Sequence, residues 1–220
     1  MKLTSAMSGI RLATLAAAAA LLIAVSSSSS FAQTTDDISR ALQPKAPSGG
    51  SLTRSLNAPA PNPKADAEKQ LIRKLQTRSI GIEPVAPPTA EERVEISNLA
   101  RDKPAIDLEI LFDYNSAVVG PKAVGALFKL GNALSQTQLK GTVYLINGHT
   151  DGAGSAEYNQ VLSQRRAQAV RRTLIEQYGL APETLIATGY GKEQLKVPHD
   201  PLADANRRVQ IVNTTVSAGR

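Results

Sequence analysis

The sequence contains no cysteine, which excludes disulfide bonds, thiolate metal sites and attachment of a lipid to a cysteine. Its two histidines, His149 and His199, would need carboxylate ligands to complete a zinc site. Residues 105–215 hold eleven basic and ten acidic side chains, and the whole chain has five tyrosines, three phenylalanines and no tryptophan. Because nearly balanced charge and few aromatic side chains offer little to nucleic acid, we expect no nucleic-acid partner. Neither a metal nor an organic cofactor is expected.

The sequence also lacks an apolar run long enough to span a membrane comfortably, which takes about 20 residues. The longest candidate for such a run, residues 12–25, is uncharged and follows an N-terminal segment that carries Lys2 and Arg11. Small residues at positions 30 and 32 precede Gln33, as they do at a signal-peptide cleavage site. We therefore expect residues 1–32 to be a secretory signal peptide and the mature chain to have no transmembrane segment. A retained membrane anchor is the alternative.

Residues 33–104 contain nine of the thirteen prolines in the chain, together with serine and glycine clusters. Such a composition buries little apolar surface to offset chain entropy, and it predicts a disordered linker. One short helix is expected over residues 65–78, where Leu71, Ile72 and Leu75 share a side. This helix is interpreted either as a fraying amphipathic segment or as a docking segment for another protein.

Alternating and helical periodicities follow each other regularly over residues 105–216, which we predict to be one domain. Ser155 is a suitable N-cap for the second helix, and Gly179 a suitable left-handed C-cap. The order βαβαββ predicts a two-layer α/β sandwich with a mixed four-stranded sheet and two helices on one face. Strands are expected over residues 106–112, 141–147, 185–189 and 206–214, and helices over residues 121–134 and 156–178.

One charged residue breaks the pattern of the second helix. On a helical wheel Arg166 falls inside the apolar arc, whereas Gln164 and Arg171 fall outside it. A guanidinium does not lose its charge in proteins, so burying it requires a partner. The sequence leaves two possible anionic partners for Arg166. One is Asp151, just before the helix, in a structural ion pair, and the other is the carboxylate of a bound ligand.

Three motifs occur in order along the predicted domain. Residues 110–117 read ILFDYNSA, residues 148–167 begin with GHTD and end with LSQRRA, and residues 206–209 read NRRV. In this order and at this spacing, the motifs resemble the peptidoglycan-binding domain of the OmpA-like family. The loop before Asn206 departs from the family pattern, because the usual Gly-Arg pair is absent and Asp204 and Ala205 stand near its place.

The resemblance implies a domain that holds the peptide stem of peptidoglycan and performs no catalysis. Its key ligand would be diaminopimelate, whose side chain ends in an ammonium and a carboxylate. Asp151 matches the family residue that takes the ammonium, and Arg166 matches the one that takes the carboxylate in a bidentate contact. Asn159 and Arg207 match further ligand contacts. The other candidates, which turn or strand-end roles would explain equally well, are Asp113, Asn115 and Thr150.

The resemblance also implies a place in the cell envelope: a periplasmic, wall-associated anchor, with the linker available to another envelope protein and an association with the outer membrane left open. One alternative is a hydrolase acting on the same wall. With no cysteine and only two histidines, both expected in loops, the sequence offers no catalytic set for it. His149 is interpreted as a loop histidine bonded to the backbone. The other alternative is a motor-stator-like wall anchor, which would need a retained membrane helix.

Overall fold

The computed structural model describes residues 33–44, 62–82, 86–113 and 115–215. The expected signal peptide, residues 45–61 and 83–85 of the expected linker, and residues 114 and 216 of the expected domain lie outside these ranges. Within these ranges, three helices precede the first strand: α1 (Thr35–Leu42), α2 (Pro63–Arg78) and α3 (Ala90–Ala100). The helix expected over residues 65–78 is therefore present, and it begins slightly earlier, at Pro63.

The remaining elements follow the predicted order βαβαββ. Ser155 caps the longest helix by accepting a hydrogen bond from the Tyr158 amide at 3.1 Å, and Gly179 ends it with φ 64°, both as predicted. The elements are β1 (Ala105–Leu108), α4 (Pro121–Leu134), β2 (Tyr144–His149), α5 (Ala156–Tyr178), β3 (Leu185–Gly191) and β4 (Val209–Asn213), with single 3-10 turns at Pro182–Thr184 and Asp204–Asn206.

The four strands form one mixed sheet in the order β1-β4-β2-β3, which confirms the predicted architecture. β4 is antiparallel to both β1 and β2, and β2 is parallel to the edge strand β3. Val209 at the start of β4 lies opposite Leu108 on one side and Gly148 on the other. Because β4 begins at Val209, the pairing of β1 with β4 ends at Leu108, and β1 does not continue to residue 112 as expected. The segments that leave β1 and β2 meet the segment that enters β4 at this end of the sheet.

The main core lies on one face of the sheet, under α4 and α5. Alternate strand residues such as Ile146 and Ile211 are fully buried there against helix residues such as Leu130 and Leu174. Glycines allow the close approach of α5, because a side chain at Gly148 would begin 2.3 Å from the Ser163 carbonyl oxygen. α5 is thereby held directly over β2, which fixes the position of the residues it carries toward the end of the sheet.

The described parts of the predicted linker depart from that prediction, because their helices bury apolar side chains. Ile38 and Leu42 of α1 are fully buried in the main core. On the opposite face of the sheet, α2 and α3 form a second core that adds a third layer to the predicted two. The few apolar residues of these helices suffice because the strands already present an apolar surface to them. This second core contains Leu75, Ile96, Leu99, Leu145, Ile186 and Val212.

Ion pairs join helices α2 and α3 at both ends of their contact. Glu92 of α3 accepts from Lys74 at 2.9 Å and from Arg78 at 2.7 Å, and these two bonds lower the pKa of Glu92 to about 2. At the other end, Lys103 lies 3.0 Å from Glu68, and both side chains are mostly buried. The two helices therefore cover the sheet as one connected unit.

The wheel placed Gln164 and Arg171 on the outer side of α5, and the structure corrects this. Both are buried, because they satisfy backbone groups along the free edge of β3. Gln164 accepts from the Gly189 amide at 2.7 Å and donates to the Ala187 carbonyl at 3.2 Å. Among the described residues, Arg171 donates to the carbonyl oxygens of Leu185, Pro182, Ser79 and Gly81, over 2.6 to 3.1 Å. Since two of these carbonyls follow α2, Arg171 also ties the α2–α3 unit to the rest of the domain.

Candidate ligand-binding cleft

A small cleft opens at the end of the sheet where the chain leaves β1 and enters β4. It is lined by residues 109–112, His149, Arg166, Asp204 and residues 207–209. Three of these residues are arginines, at positions 166, 207 and 208. The cleft therefore combines three arginines with two acidic residues, Glu109 and Asp204, beside an apolar wall formed by residues 110–112.

Arg166 reaches the cleft from α5 with its guanidinium half-buried. Its Nε donates to the Ser116 carbonyl at 3.0 Å, and its Cζ lies 5.1 Å from the centre of the Phe112 ring. Burial lowers the pKa of Arg166, and nearby Tyr158 and Asp151 partly oppose that shift, so the side chain stays cationic. Within the described ranges, no carboxylate oxygen lies within 4.0 Å of its nitrogens.

Asp151 lies in the loop between β2 and α5 and is paired with Arg207 instead of Arg166. Its Oδ2 accepts from Arg207 Nη1 at 3.0 Å, and its Oδ1 accepts from the Ala153 amide at 3.2 Å. Arg207 also contacts Asp204 through Nη2, and the bonds to Asp151 and Asp204 raise the pKa of Arg207. Of the two partners considered for Arg166, the structural ion pair with Asp151 is thus absent. Each carboxylate oxygen of Asp151 can still accept a second donor.

Thr150 and Asn159 are both 2% exposed, and they donate hydrogen bonds to backbone carbonyls of the loop and of β3. Thr150 donates its amide to the Gly191 carbonyl at 2.9 Å and its hydroxyl to the Asp151 carbonyl at 3.0 Å. Asn159 donates from Nδ2 to the Ala153 carbonyl at 2.5 Å. These bonds hold the backbone on both sides of Asp151, and they account for both residues without a ligand contact.

Asp113 and Asn115 lie in the segment between β1 and α4. Asp113 is largely exposed and pairs with Lys122 at 3.4 Å. Asn115 adopts the left-handed conformation with φ 53°, and its Oδ1 accepts a hydrogen bond from the Tyr158 hydroxyl. Neither residue lines the cleft, whereas Arg166 and Arg207 do.

Comparison with known proteins places this region in a family. Residues 111–208 match the sequence profile of the OmpA family. These residues form a domain of the OmpA family. Outer membrane porin F of Pseudomonas fluorescens is 36% identical to the chain over 114 residues, which are 51% of this chain and 32% of the porin.

The peptidoglycan-associated lipoprotein of Pseudomonas aeruginosa is 39% identical to the chain over 102 residues, which are 46% of this chain and 58% of the lipoprotein. The crystal structure of the peptidoglycan-associated lipoprotein from Burkholderia pseudomallei aligns at 31% identity over 47% of this chain and 86% of that one, with a TM-score of 0.40. The chain thus spans between about a third and three fifths of the two curated relatives.

In this OmpA family domain His149 is the last residue of β2 and not the loop histidine that the sequence suggested. It is 2% exposed and stacks on Tyr190 with ring centres 5.5 Å apart. Burial is the main cause that lowers the pKa of His149 to about 3. Neither ring nitrogen makes a hydrogen bond of good geometry among the described residues, although the Gln194 backbone is close enough to oppose the lowering of the pKa slightly. A buried, neutral imidazole of this kind packs against Tyr190 and is not suited to act as a base near pH 7.

Two residues that hold Arg166 at the cleft of the OmpA domain had no clear signal in the sequence. Phe112 fitted the expected first strand; the strand ends earlier, and the ring packs against the main core and also lies beside Arg166. Ser116 contributes a backbone carbonyl, which no side-chain pattern reveals.

Across the described ranges, no three His, Cys, Asp or Glu side chains are grouped so that they could hold a metal ion. None of the described helices is both long and apolar enough to cross a membrane.

Proposed function

We propose that this chain binds peptidoglycan through the diaminopimelate of its stem peptide, without catalysis, and anchors part of the cell envelope. The observation that carries the proposal is the state of Arg166. It is a half-buried cation in a cleft, and within the described ranges no carboxylate oxygen lies within 4.0 Å of its nitrogens. A ligand carboxylate would supply that partner in a bidentate contact.

The ammonium of the same ligand side chain would bind Asp151. This carboxylate is 20% exposed, and its two oxygens each hold one donor and can accept another. Because Arg207 already shares Asp151, we assign Arg207 to orienting the carboxylate at the rim of the cleft. Thr150 and Asn159 support the loop, and we assign Asp113 no contact with the ligand. The names of the porin and lipoprotein relatives agree with an envelope location.

Co-sedimentation of the purified mature chain with diaminopimelate-type sacculi tests the binding. We expect the wild type to pellet and Asp151→Asn, which keeps the shape but loses the charge, to remain largely in the supernatant. Arg165→Ala, next to Arg166 but on the exposed side of α5, serves as the control and should pellet like the wild type. Equal pelleting of all three proteins would refute the assignment of the cleft.

Two further measurements test the remaining parts of the proposal. Incubating the protein with purified sacculi should release no soluble muropeptides, since an anchor performs no cleavage. N-terminal sequencing of the exported protein should give Gln33 as the first residue, as expected for a cleaved signal peptide in the periplasm. Release of muropeptides would favour the hydrolase alternative, and an intact Met1 in the membrane fraction would favour a retained anchor.

A further inference from the structure

We infer that Tyr158 and Asn115 act as positioning residues for Arg166; this inference rests on the proposed function. Tyr158 lies in the first turn of α5, and its hydroxyl donates to Asn115 Oδ1. Asn115 belongs to the segment between β1 and α4, so this bond fastens that segment to the start of α5. Neither residue lines the cleft.

The bond matters for Arg166 because of the residue that follows Asn115. The Ser116 carbonyl accepts the hydrogen bond from Arg166 Nε at 3.0 Å. The direction of this carbonyl is set by Asn115, whose φ of 53° turns the chain, and by the Ser116 amide, which donates to the Asp113 carbonyl at 3.1 Å. Asparagine is among the few residues other than glycine that adopt this conformation readily.

With Nε bound to Ser116 and the guanidinium beside Phe112, the orientation of the planar group is restricted. A bidentate contact needs two guanidinium nitrogens in the plane of the carboxylate, so this orientation decides how well it forms. Tyr158 therefore contributes to selectivity for a ligand carboxylate indirectly. Its hydroxyl holds Asn115, Asn115 orients the Ser116 carbonyl, and that carbonyl holds Arg166. Ligands without that carboxylate should be insensitive to Tyr158.

The test uses Tyr158→Phe, Asn115→Gly and the double variant in the mature chain. Phenylalanine removes only the hydroxyl, and glycine keeps the left-handed backbone while removing the acceptor. Calorimetry would measure binding of the tripeptide L-Ala-D-Glu-meso-diaminopimelate and of its lysine counterpart. We expect each single variant to bind the diaminopimelate peptide about two- to tenfold more weakly, the range that one hydrogen bond supports. The lysine peptide should bind with unchanged affinity, and the double variant should be no worse than either single one. Tyr178→Phe, at the other end of α5, is the matched control.

A second readout does not depend on the ligand. The Nε–H proton of Arg166 should exchange with solvent faster in Tyr158→Phe than in the wild type by NMR, while Tyr178→Phe leaves it unchanged. Equal loss of both peptides, additive single effects or an unchanged Nε–H exchange rate would overturn the positioning role. If the proposed function itself fails, so that the wild type binds neither peptide, the exchange rate still decides whether Tyr158 holds Arg166.

Discussion

Ile96 of α3 provides a decisive test of whether the segment before β1 belongs to the folded domain. Its side chain is fully buried in the second core with Leu145, Ile186 and Val212 of the sheet. Ile96→Ala removes three carbon atoms, and burial of each contributes about 0.8 kcal/mol. With the cost of the cavity added, we expect the free energy of unfolding to fall by about 3–4 kcal/mol. That is a large part of the roughly 5–15 kcal/mol that stabilise a typical domain.

Equilibrium unfolding in urea, followed by far-ultraviolet circular dichroism, would measure this loss. A typical slope of about 1–3 kcal/mol per molar urea converts it into a midpoint lower by at least about 1 M. Val94→Ala, on the same helix but 60% exposed, should stay within about 0.5 kcal/mol of the wild type. If Ile96→Ala unfolds at the wild-type midpoint, α3 contributes nothing to the core and the linker prediction was right for this segment.

Related perturbations probe other contacts of the fold. A fragment starting at Pro104 should lose its cooperative unfolding transition by circular dichroism, because it leaves Leu145, Ile186 and Val212 without their cover; a sharp transition would contradict this. Arg171→Lys should cost about 2–4 kcal/mol in urea unfolding, since an ammonium cannot reproduce the planar fork that serves four carbonyls, whereas exposed Arg172→Lys should be neutral. The pKa of His149 lies near 3 in the folded chain and near 6.5 in the unfolded one, so protons bind preferentially to the unfolded chain between these values. Stability should therefore fall with decreasing pH in that window, by up to about 1.4 kcal/mol per pH unit, and a pH titration of urea midpoints should show a shallower fall for His149→Phe.

Local signals in the sequence were enough to predict the elements of the domain. Proline at the start of α4 and Ser155 and Gly179 at the ends of α5 are short-range features, and the structure confirms each of them. Alternation located the four strands, but β1 and β4 are shorter than expected. The third layer was missed because proline content dominated the interpretation of residues 33–104. A better signal was available in the strands, since Leu145, Ile186 and Val212 put apolar side chains on the face that was expected to have no helices.

The site was predicted in part, because some of its groups leave a local pattern in the sequence and others depend on contacts between distant residues. Arg166 was found because a charged side chain in an apolar arc is a local anomaly, and it does line the cleft. The same wheel misplaced Arg171, because its partners are backbone carbonyls distant in sequence, at Ser79 and Gly81. The pairing of Asp151 with Arg207 also depends on the loop between β3 and β4, whose path no periodicity describes.

The central claim is that Arg166 recognises a ligand carboxylate, and calorimetry with the two stem tripeptides tests it most directly. A charged hydrogen bond contributes about 1.5–3 kcal/mol, so the wild type should bind the diaminopimelate peptide roughly ten- to hundredfold more tightly than the lysine peptide. Arg166→Ala should lose most of this preference, while Arg165→Ala should keep it. Equal affinities of the wild type for the two peptides, or equal loss from both arginine substitutions, would show that Arg166 has a structural role only.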